Sequence, residues 1–478
     1  MTRHAAPSEN RRVSARRLTP QERAANGRAV RTAVQRSSLG TLELPPDRDP
    51  SAILAGQDAG RVPELVPIRY GRMLASAFAF FRGAAAVMAR DLLGHAATGL
   101  RTQLCGDAHL LNFGGFGSPE RDLVFDLNDF DETLAGPFEW DVKRLATSFE
   151  IAGRHRGFDE RDRRRVVLGL VRAYRQTIRQ FAEMGDLAVW YARLDASSVA
   201  AELRARHDRK LGKTLHRSAT TAESHDSRQA FAQLTHEVNG APTIVSRPPL
   251  IVPLAELLEQ QQERDDIESS LRAIFRRYRH SLPHDRRVLL ERFRYADAAR
   301  KVVGVGSVGT RCFILLMLGR DEHDPLLLQI KEAEASVLEP ALGGSQFANH
   351  GQRVVEGQRL MQASSDIFLG WIRAELEVDD RPHDFYVRQL RDWKSSVDVE
   401  TILPSGLDLY ANACGWTLAR AHARSGDRIA IASYLGKSDR FDRAVAQFAS
   451  AYADLNEHDF RFLTQSVDEG RITALSGM

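Results

Sequence analysis

The chain has 478 residues, more than the roughly 250–300 that one hydrophobic core usually supports, so we expect two lobes or domains. Its apolar (43%) and charged (27%) fractions are ordinary for a folded protein, and the absence of any apolar run near the roughly 20 residues of a membrane span argues against a membrane protein. The formal net charge of +3 is too small to predict a nucleic-acid-binding protein. The three cysteines are widely spaced and predict neither disulfides nor a zinc site, so they favour a reduced cytoplasmic location.

The N-terminal segment is the most basic part of the chain. Residues 1–38 contain nine arginines against two glutamates, with few aromatic or β-branched residues. We therefore expect residues 1–60 to form a disordered basic arm. A solvated tail is the simplest interpretation, and a weak contact with RNA or another acidic surface is the alternative.

Hydrophobic periodicity predicts helices first, then a polar connector over residues 196–245, then strands, then more helices. The predicted helices cover residues 70–98, 140–191, 254–300, 346–375, 407–424 and 438–460. The predicted strands cover residues 113–116, 122–126, 302–303, 312–318, 326–331 and 385–390.

Residues 105–112, Cys-Gly-Asp-Ala-His-Leu-Leu-Asn, carry the strongest chemical signal. Asp107 can accept a proton from a hydroxyl group, while the Asn112 amide and a nearby carboxylate can hold Mg²⁺ against nucleotide phosphates. Asp126 ends the next strand and is our first choice for that carboxylate, with Asp129 as the alternative. The set predicts phosphoryl or nucleotidyl transfer with ATP and Mg²⁺.

Neighbouring residues support this loop or have other uses. We expect His109 to brace the loop, and Asp141 to brace it by accepting backbone hydrogen bonds or else to cap its own helix. Asp131 and Glu132 are available to the substrate or to solvent. A metal-hydrolase site is disfavoured because His109 is the one imidazole nearby, whereas such sites usually collect several.

A second motif follows about 200 residues later. Gly304, Gly306 and Gly309 form a GxGxxG pattern that includes Ser307, and the next residues, 310–317, are strand-like. A dinucleotide-binding turn requires a helix at that point, so the pattern favours a flap between two antiparallel strands whose backbone N–H groups cover phosphates.

Lys331 is predicted to contact these phosphates. Only seven of the 66 basic residues are lysines, and Lys331 lies on the strand that follows the flap, 22 residues after Gly309. A compact ammonium there would meet the α- and β-phosphates. We expect Glu356, on the following helix, to orient it. The simpler interpretations are a solvated strand lysine and an ordinary surface pair on the helix.

The segment Cys105–Asn112 resembles the HGDxHxxN catalytic loop of aminoglycoside- and choline-type phosphotransferases in the protein-kinase-like superfamily, with Cys105 at the first histidine position. Asp126 resembles their metal-binding aspartate, and Trp140-Asp141 resembles their next helix start. Over most of residues 60–470 the chain is identified as a member of a bacterial family, domain of unknown function 2252.

The resemblance implies a bilobal, protein-kinase-like α+β fold with a helical lobe and a smaller antiparallel β lobe. Because the flap follows the catalytic loop in this chain, that fold would be circularly permuted. The implied division is a helical lobe with the catalytic loop and metal-binding hairpin (61–195), a connector with helices (196–300), a nucleotide-binding β lobe (301–392) and C-terminal helices that complete the helical lobe (393–478).

The resemblance also implies an ATP–Mg²⁺-dependent phosphotransferase that acts on the hydroxyl group of a small molecule. Two alternatives remain open at this stage: a nucleotide-binding regulator without catalysis, and a nucleotidyl transferase that binds ATP in reverse. The residues themselves identify no acceptor.

Overall fold

The computed structural model describes residues 18–195, 227–238, 240–257, 274–375, 381–390 and 397–477. Over these residues the protein is a mixed α+β structure with antiparallel sheets, which confirms the predicted class. None of the helices in this part of the chain is long and apolar enough to cross a membrane.

Helices make up most of the two ends of the chain. In chain order they are Pro20–Ala33 (α1), Pro50–Gly56 (α2), Val66–Met73 (α3), Ala77–Gly83 (α4), Ala85–Asp91 (α5), Phe138–His155 (α6), Glu160–Glu183 (α7), Asp186–Tyr191 (α8), Ser227–Leu234 (α9), Leu254–Leu257 (α10), His284–Leu290 (α11), Glu339–Leu342 (α12), His350–Met361 (α13), Pro404–Ser425 (α14), Arg428–Leu435 (α15) and Arg440–Asp468 (α16).

The strands form one large sheet and several small ones. In chain order they are Arg101–Leu104 (β1), Phe113–Gly117 (β2), Leu123–Leu127 (β3), Leu134–Pro137 (β4), Leu194–Asp195 (β5), Thr235–Val238 (β6), Ala241–Ile244 (β7), Ile251–Pro253 (β8), Arg294–Lys301 (β9), Cys312–Leu318 (β10), Pro325–Glu332 (β11), Gly370–Glu375 (β12) and Pro382–Gln389 (β13).

The large sheet has six antiparallel strands in the order β12-β13-β11-β10-β9-β8. Successive side chains point to opposite faces, so Ile314 and Leu315 of β10 belong to two different hydrophobic clusters. The register of β10 and β11 places Cys312 opposite Lys331. Because residues 304–309 join β9 to β10, the glycine-rich segment lies at the same end of the sheet as Lys331.

The largest hydrophobic cluster lies among the helices, where α7 and α14 pack against each other. Val166, Leu170 and Tyr174 are buried at helical spacing on α7. On α14, Gly415 approaches α7 so closely that a Cβ would lie 2.4 Å from the Leu170 carbonyl oxygen. Strand β1 and helix α6 pack against this core, which therefore supports the loop between β1 and β2.

The expectation of a disordered arm through residue 60 is wrong over residues 18–60. Helix α1 begins with a capping box between Thr19 and Glu22, and it packs on α15, where a Cβ on Gly27 would meet the backbone of Ala430. Composition did not predict this helix because Gly27 is its buried residue and its contacts with α15 include a hydrogen bond from Arg31 to the Tyr434 carbonyl. Contacts of this kind leave no apolar pattern in the sequence. Residues 1–17 lie outside the described part.

Three of the long predicted helices are also wrong in part. The helix predicted over residues 346–375 ends at Met361, and residues 370–375 form β12, on which buried Ile372 and Ala374 alternate with more exposed neighbours. The end of the helix predicted over 254–300 is β9. The predicted helix over 70–98 is divided among α3, α4 and α5.

The predicted connector over residues 196–245 lies partly outside the described residues. Its described portion forms α9 and the hairpin of β6 and β7.

Candidate functional site

The loop that carries Asp107 is fixed by its backbone. Gly106 has a φ of 86°, in the left-handed region, and a Cβ there would lie 2.4 Å from the Glu132 carbonyl oxygen, so glycine is required. Asp141, in the first turn of α6, accepts hydrogen bonds from the backbone N–H groups of Cys105 (2.8 Å) and Gly106 (3.1 Å). Asp141 thus makes the bracing contacts expected of it.

Asp107 is paired with an arginine of α6. Nε and Nη2 of Arg144 lie 2.8 and 2.7 Å from Asp107 Oδ1, while Oδ2 lies 3.8 Å from His109 Nε2. The guanidinium is held in turn by Phe81, whose carbonyl accepts a hydrogen bond of 2.8 Å and whose ring lies 4.0 Å away. Burial raises the pKa of Asp107, and the Arg144 charge opposes that shift. A carboxylate with a raised pKa is a stronger proton acceptor.

Asn112 and His109 lie beside Asp107. Asn112 Nδ2 donates to the Asp107 carbonyl oxygen at 2.8 Å, so Oδ1 is the Asn112 atom suited to a cation. Burial, with the charges of Arg82 and Arg144, holds the pKa of His109 well below its usual value, so the ring is neutral. Its Nδ1 is buried without a hydrogen-bond partner among the described residues, so the bracing role of His109 stays a prediction.

The choice of Asp126 as a metal ligand is contradicted by its contacts. The side chain is fully buried and accepts hydrogen bonds from the backbone N–H groups of Leu127 (2.9 Å) and Ala363 (2.8 Å). It also forms an ion pair with Arg420 of α14, which is itself buried. With its oxygens used in this way, Asp126 joins β3 to α14 and lies away from the cavities described below.

Asp129, the alternative, lies where a ligand can reach it. Its Oδ1 accepts a backbone hydrogen bond from Asp131 at 3.3 Å, and the residue lines two cavities. Burial raises the pKa of Asp129, the neighbouring Asp131 carboxylate adds to the shift, and Lys331 opposes it. Asp129, three residues after Asp126, is therefore the candidate metal carboxylate in this structure.

Lys331 contacts the acidic segment directly. Its Nζ lies 2.5 Å from Asp131 Oδ2, and the Tyr386 hydroxyl on the adjacent strand donates to Asp131 Oδ1 at 2.6 Å. Burial alone would raise the pKa of Asp131, but the Lys331 ammonium outweighs this effect, so the pKa of Asp131 is lowered. The pair brings the sheet and the segment after β3 together in one place.

Glu356 does not provide the predicted contact to Lys331. Its carboxylate pairs with Arg359 on the same helix at 3.2 Å, and both side chains are about one-third exposed. The expectation is wrong because α13 presents a glutamine, Gln358, to the cavity that Lys331 lines. Asp131 takes the place of the orienting carboxylate.

The glycine-rich segment forms a flap between antiparallel β9 and β10, as its sequence context predicts. Gly304 and Gly309 have φ values of 68° and 92°, which favour glycine. Gly306 and Ser307 line the larger of two cavities, and Ser307 Oγ lies 3.4 Å from Asp131 Oδ2. The flap, Lys331 and the acidic segment therefore surround a common space.

That space consists of two cavities that share Asp129 and Ser307. The larger, of about 770 Å³, is lined by Asp107, Asp131, Glu132, Arg61 and Arg82, among others. The smaller, of about 440 Å³, is lined by Gly304, Lys331, Gln358, Gln362 and Arg388, among others. Asp107 thus faces one cavity and Lys331 the other, with Asp129 between them.

Over the described ranges, no three His, Cys, Asp or Glu side chains come together in an arrangement that could hold a metal ion. A cation at this site would have to share its ligands among Asn112, Asp129 and a bound molecule.

Residues 61–466 match the sequence profile of a family described as an uncharacterized protein conserved in bacteria (DUF2252). The chain belongs to the DUF2252 family. No curated protein and no solved structure matches it. The matched span includes both cavities' central residues, from Asp107 to Arg388.

Sequence reasoning missed several residues that hold this DUF2252 site together. Arg144 forms an ion pair with Asp107, and Arg420 forms one with Asp126. The Tyr386 hydroxyl donates a hydrogen bond to Asp131. These contacts are evident only in the folded chain. One signal was present: the Asp-Phe-Asp spacing at 129–131 puts two carboxylates on the same side of an extended segment.

Proposed function

We propose that this chain is a phosphotransferase that moves the terminal phosphoryl group of ATP, in the presence of Mg²⁺, to a hydroxyl group of a small molecule. The observation that carries the proposal is the 2.5 Å pair between Lys331, which lines the smaller cavity, and Asp131, which lines the larger cavity together with Asp107. An ammonium on one wall and an acid–amide set on the other are the parts that phosphoryl transfer uses. The accompanying fold proposal is a bilobal, kinase-like architecture with permuted lobe order.

The smaller cavity suits the nucleotide. The flap at Gly304, together with Lys331 and Arg388, supplies backbone N–H groups and positive charge for phosphates. Gln358 and Gln389 add amide groups that can accept or donate hydrogen bonds. A volume of about 440 Å³ lies within the usual range for a small-molecule site.

The donor set near Asp107 fits Mg²⁺. Asn112 Oδ1 and the Asp129 carboxylate are oxygen donors, which this cation prefers. Mg²⁺ usually keeps several waters and is shared between one or two carboxylates and substrate phosphates. That mode of binding needs no cluster of three acidic side chains. When bound, the ion would neutralise charge on the phosphates.

The residues of the chain would divide the chemistry as follows. The acceptor hydroxyl oxygen forms a bond to the terminal phosphorus while the bond from phosphorus to the ADP oxygen breaks, and the hydroxyl proton passes to Asp107. Arg144 fixes the orientation of that carboxylate, and Asp141 holds the loop. When the nucleotide binds, Lys331 donates hydrogen bonds to its phosphates and keeps only part of its contact with Asp131. Catalysis is mainly positioning and charge stabilisation.

The test is to identify the products that the purified full chain forms from ATP–Mg²⁺ with a panel of hydroxyl-bearing small molecules. We expect ADP and a phosphorylated acceptor, and a rate lowered by about 10²–10⁴ in Asp107→Asn. Asp122→Asn is the matched control, because Asp122 is 53% exposed and pairs with Arg193 away from the cavities.

Other products would separate the alternatives. AMP attached to the acceptor would indicate nucleotidyl transfer, and Mg²⁺-dependent ATP binding without turnover would indicate a regulator. ADP formation that is unchanged in Asp107→Asn would remove the proposed proton acceptor.

A further inference from the structure

The larger cavity contains charge that the protein does not neutralise. Seven carboxylates line it, of which Asp107 pairs with Arg144, Asp131 with Lys331, and Glu332 with Arg311 and His383. Two guanidinium groups that line the same cavity, those of Arg61 and Arg82, have no carboxylate within ion-pair distance in the described part of the chain.

Arg82, at the end of α4, is the clearer of the two. Its guanidinium rests 5.9 Å from the Phe78 ring, and its buried Nε has no hydrogen-bond acceptor among the described residues. Burial lowers the pKa of Arg82, and the Asp107 charge opposes that shift without forming an ion pair. The positive charge also acts on His109. Arg82 and Asp107 therefore line the same cavity without pairing.

Arg61 adds a second positive charge. It is 8% exposed, it donates through Nη1 to the Val308 carbonyl of the flap, and its buried Nε has no hydrogen-bond partner in the described ranges. Burial, reinforced by the nearby Arg69, lowers the pKa of Arg61 to about 10. Arg69 itself is fully buried but pairs with Asp58 at 2.7 Å.

A buried guanidinium nitrogen without an acceptor is destabilising, because it loses hydration and gains no partner. Arg144 and Arg69 in this protein are each paired with a carboxylate. An oxyanion that enters the cavity would provide the same kind of partner for Arg82 and Arg61, and guanidinium groups match phosphate and carboxylate geometry.

We propose that Arg82, with Arg61, forms an oxyanion-binding site in the larger cavity, which Asp107 also lines, for a phosphate or carboxylate group. The site follows from the unpaired guanidinium groups alone. Its assignment to the reaction rests on the proposed function, under which the anion is either the terminal phosphate of the nucleotide or an acidic group carried by the acceptor.

The experiment measures binding of inorganic phosphate to the full chain by isothermal titration calorimetry at constant ionic strength. We expect Arg82→Gln to weaken binding about ten- to hundredfold, the range for a charge-assisted hydrogen bond. Arg90→Gln is the control: Arg90 lines the same cavity, but it is 43% exposed and pairs with Asp47 at 3.0 Å. Arg82→Lys keeps the charge and should lose less affinity, which guards against misfolding of the glutamine variant.

A second titration contains saturating non-hydrolysable ATP analogue and Mg²⁺. Loss of phosphate binding under these conditions would assign the site to the nucleotide's terminal phosphate, and retained binding would assign it to the acceptor. The proposal is overturned if wild type does not bind phosphate, or if Arg82→Gln and Arg82→Lys bind it as wild type does. Since no turnover is required, a chain that binds phosphate through Arg82 but does not consume ATP would refute the proposed function alone.

Discussion

Lys331 of β11 and Asp131 of the segment after β3 lie 200 positions apart in the chain and 2.5 Å apart in the structure. Because Lys331 is buried, its charge is compensated by the Asp131 carboxylate, to which the Tyr386 hydroxyl also donates, and by the Tyr386 ring, whose centre lies 5.5 Å from the ammonium. The pair is therefore both a structural link between the sheet and the helical core and the centre of the candidate site.

Removing the ammonium should lower stability and nucleotide affinity together. We expect Lys331→Met to reduce the free energy of unfolding by about 2–4 kcal/mol, below the upper range for a buried pair because the Asp131 side chain is 25% exposed. Urea denaturation measures this, and exposed Lys437→Met is the control. A double-mutant cycle with Asp131→Asn should show coupling. Strictly additive losses would mean that the two groups do not interact in solution.

Asp126 and Asp129 should respond differently to the same substitution. Asp126→Asn leaves the buried Arg420 without its carboxylate, so we expect a loss of about 3–5 kcal/mol in stability, measured by urea denaturation. Asp129→Asn should leave stability near that of wild type and weaken the Mg²⁺-dependent part of nucleotide binding, measured by titration with and without Mg²⁺.

The reversed pattern would restore the first choice of metal ligand. If Asp126→Asn were stable but had lost Mg²⁺-dependent binding, the contacts of Asp126 with Arg420 could not describe the ligand-bound protein.

Glu356→Gln should have little effect. Its pair with Arg359 is a partly exposed i,i+3 pair on α13, a type worth about 0.2–0.5 kcal/mol. We expect nucleotide affinity to be unchanged in a fluorescence or calorimetric titration. A tenfold loss of affinity would show that Glu356 reaches Lys331 when nucleotide binds.

His95 should make stability depend on acidity. Burial, with the nearby Lys143 charge, lowers the pKa of His95 to about 4, and within the part of the chain that the structure describes its buried Nε2 has no hydrogen-bond partner. The unfolded chain, with an ordinary histidine pKa near 6.5, binds the proton more readily, so this stability is complete above pH 6.5 and is lost as the pH falls toward 4.

The check is the difference in free energy of unfolding between wild type and His95→Gln at pH 7 and pH 5. Wild type should lose more stability than the variant over this interval. Equal losses would mean that His95 is protonated as easily in the folded state as in the unfolded one.

The sequence predicted the parts of the fold that depend on short-range pattern. Strands β10 and β11 were recognised from their continuous apolar runs, and the flap between antiparallel strands was recognised because residues 310–317 are strand-like. Strand β12 was missed because its alternating pattern begins a short distance after α13 ends at Met361, and periodicity alone places such a boundary poorly.

At the candidate site, the residues with the right chemical groups could be predicted from the sequence, but their ion-pair partners could not. Asp107, Asn112 and Lys331 were chosen by residue type and spacing. The structure brings Asp107 and Lys331 to adjoining cavities and places the Asn112 amide in a hydrogen bond to the Asp107 carbonyl oxygen. Asp126 was preferred over Asp129 because it ends a strand, yet its pairing with Arg420 is a contact across 294 positions, which no local pattern encodes.

The most direct test of the account is a structure of the chain with a non-hydrolysable ATP analogue and Mg²⁺. We expect the phosphates beneath residues 304–309, an oxygen within hydrogen-bond distance of Lys331 Nζ, and the terminal phosphate directed toward Asp107. A nucleotide bound outside the two cavities, or bound in them with its phosphates directed away from Lys331 and Asp107, would contradict it.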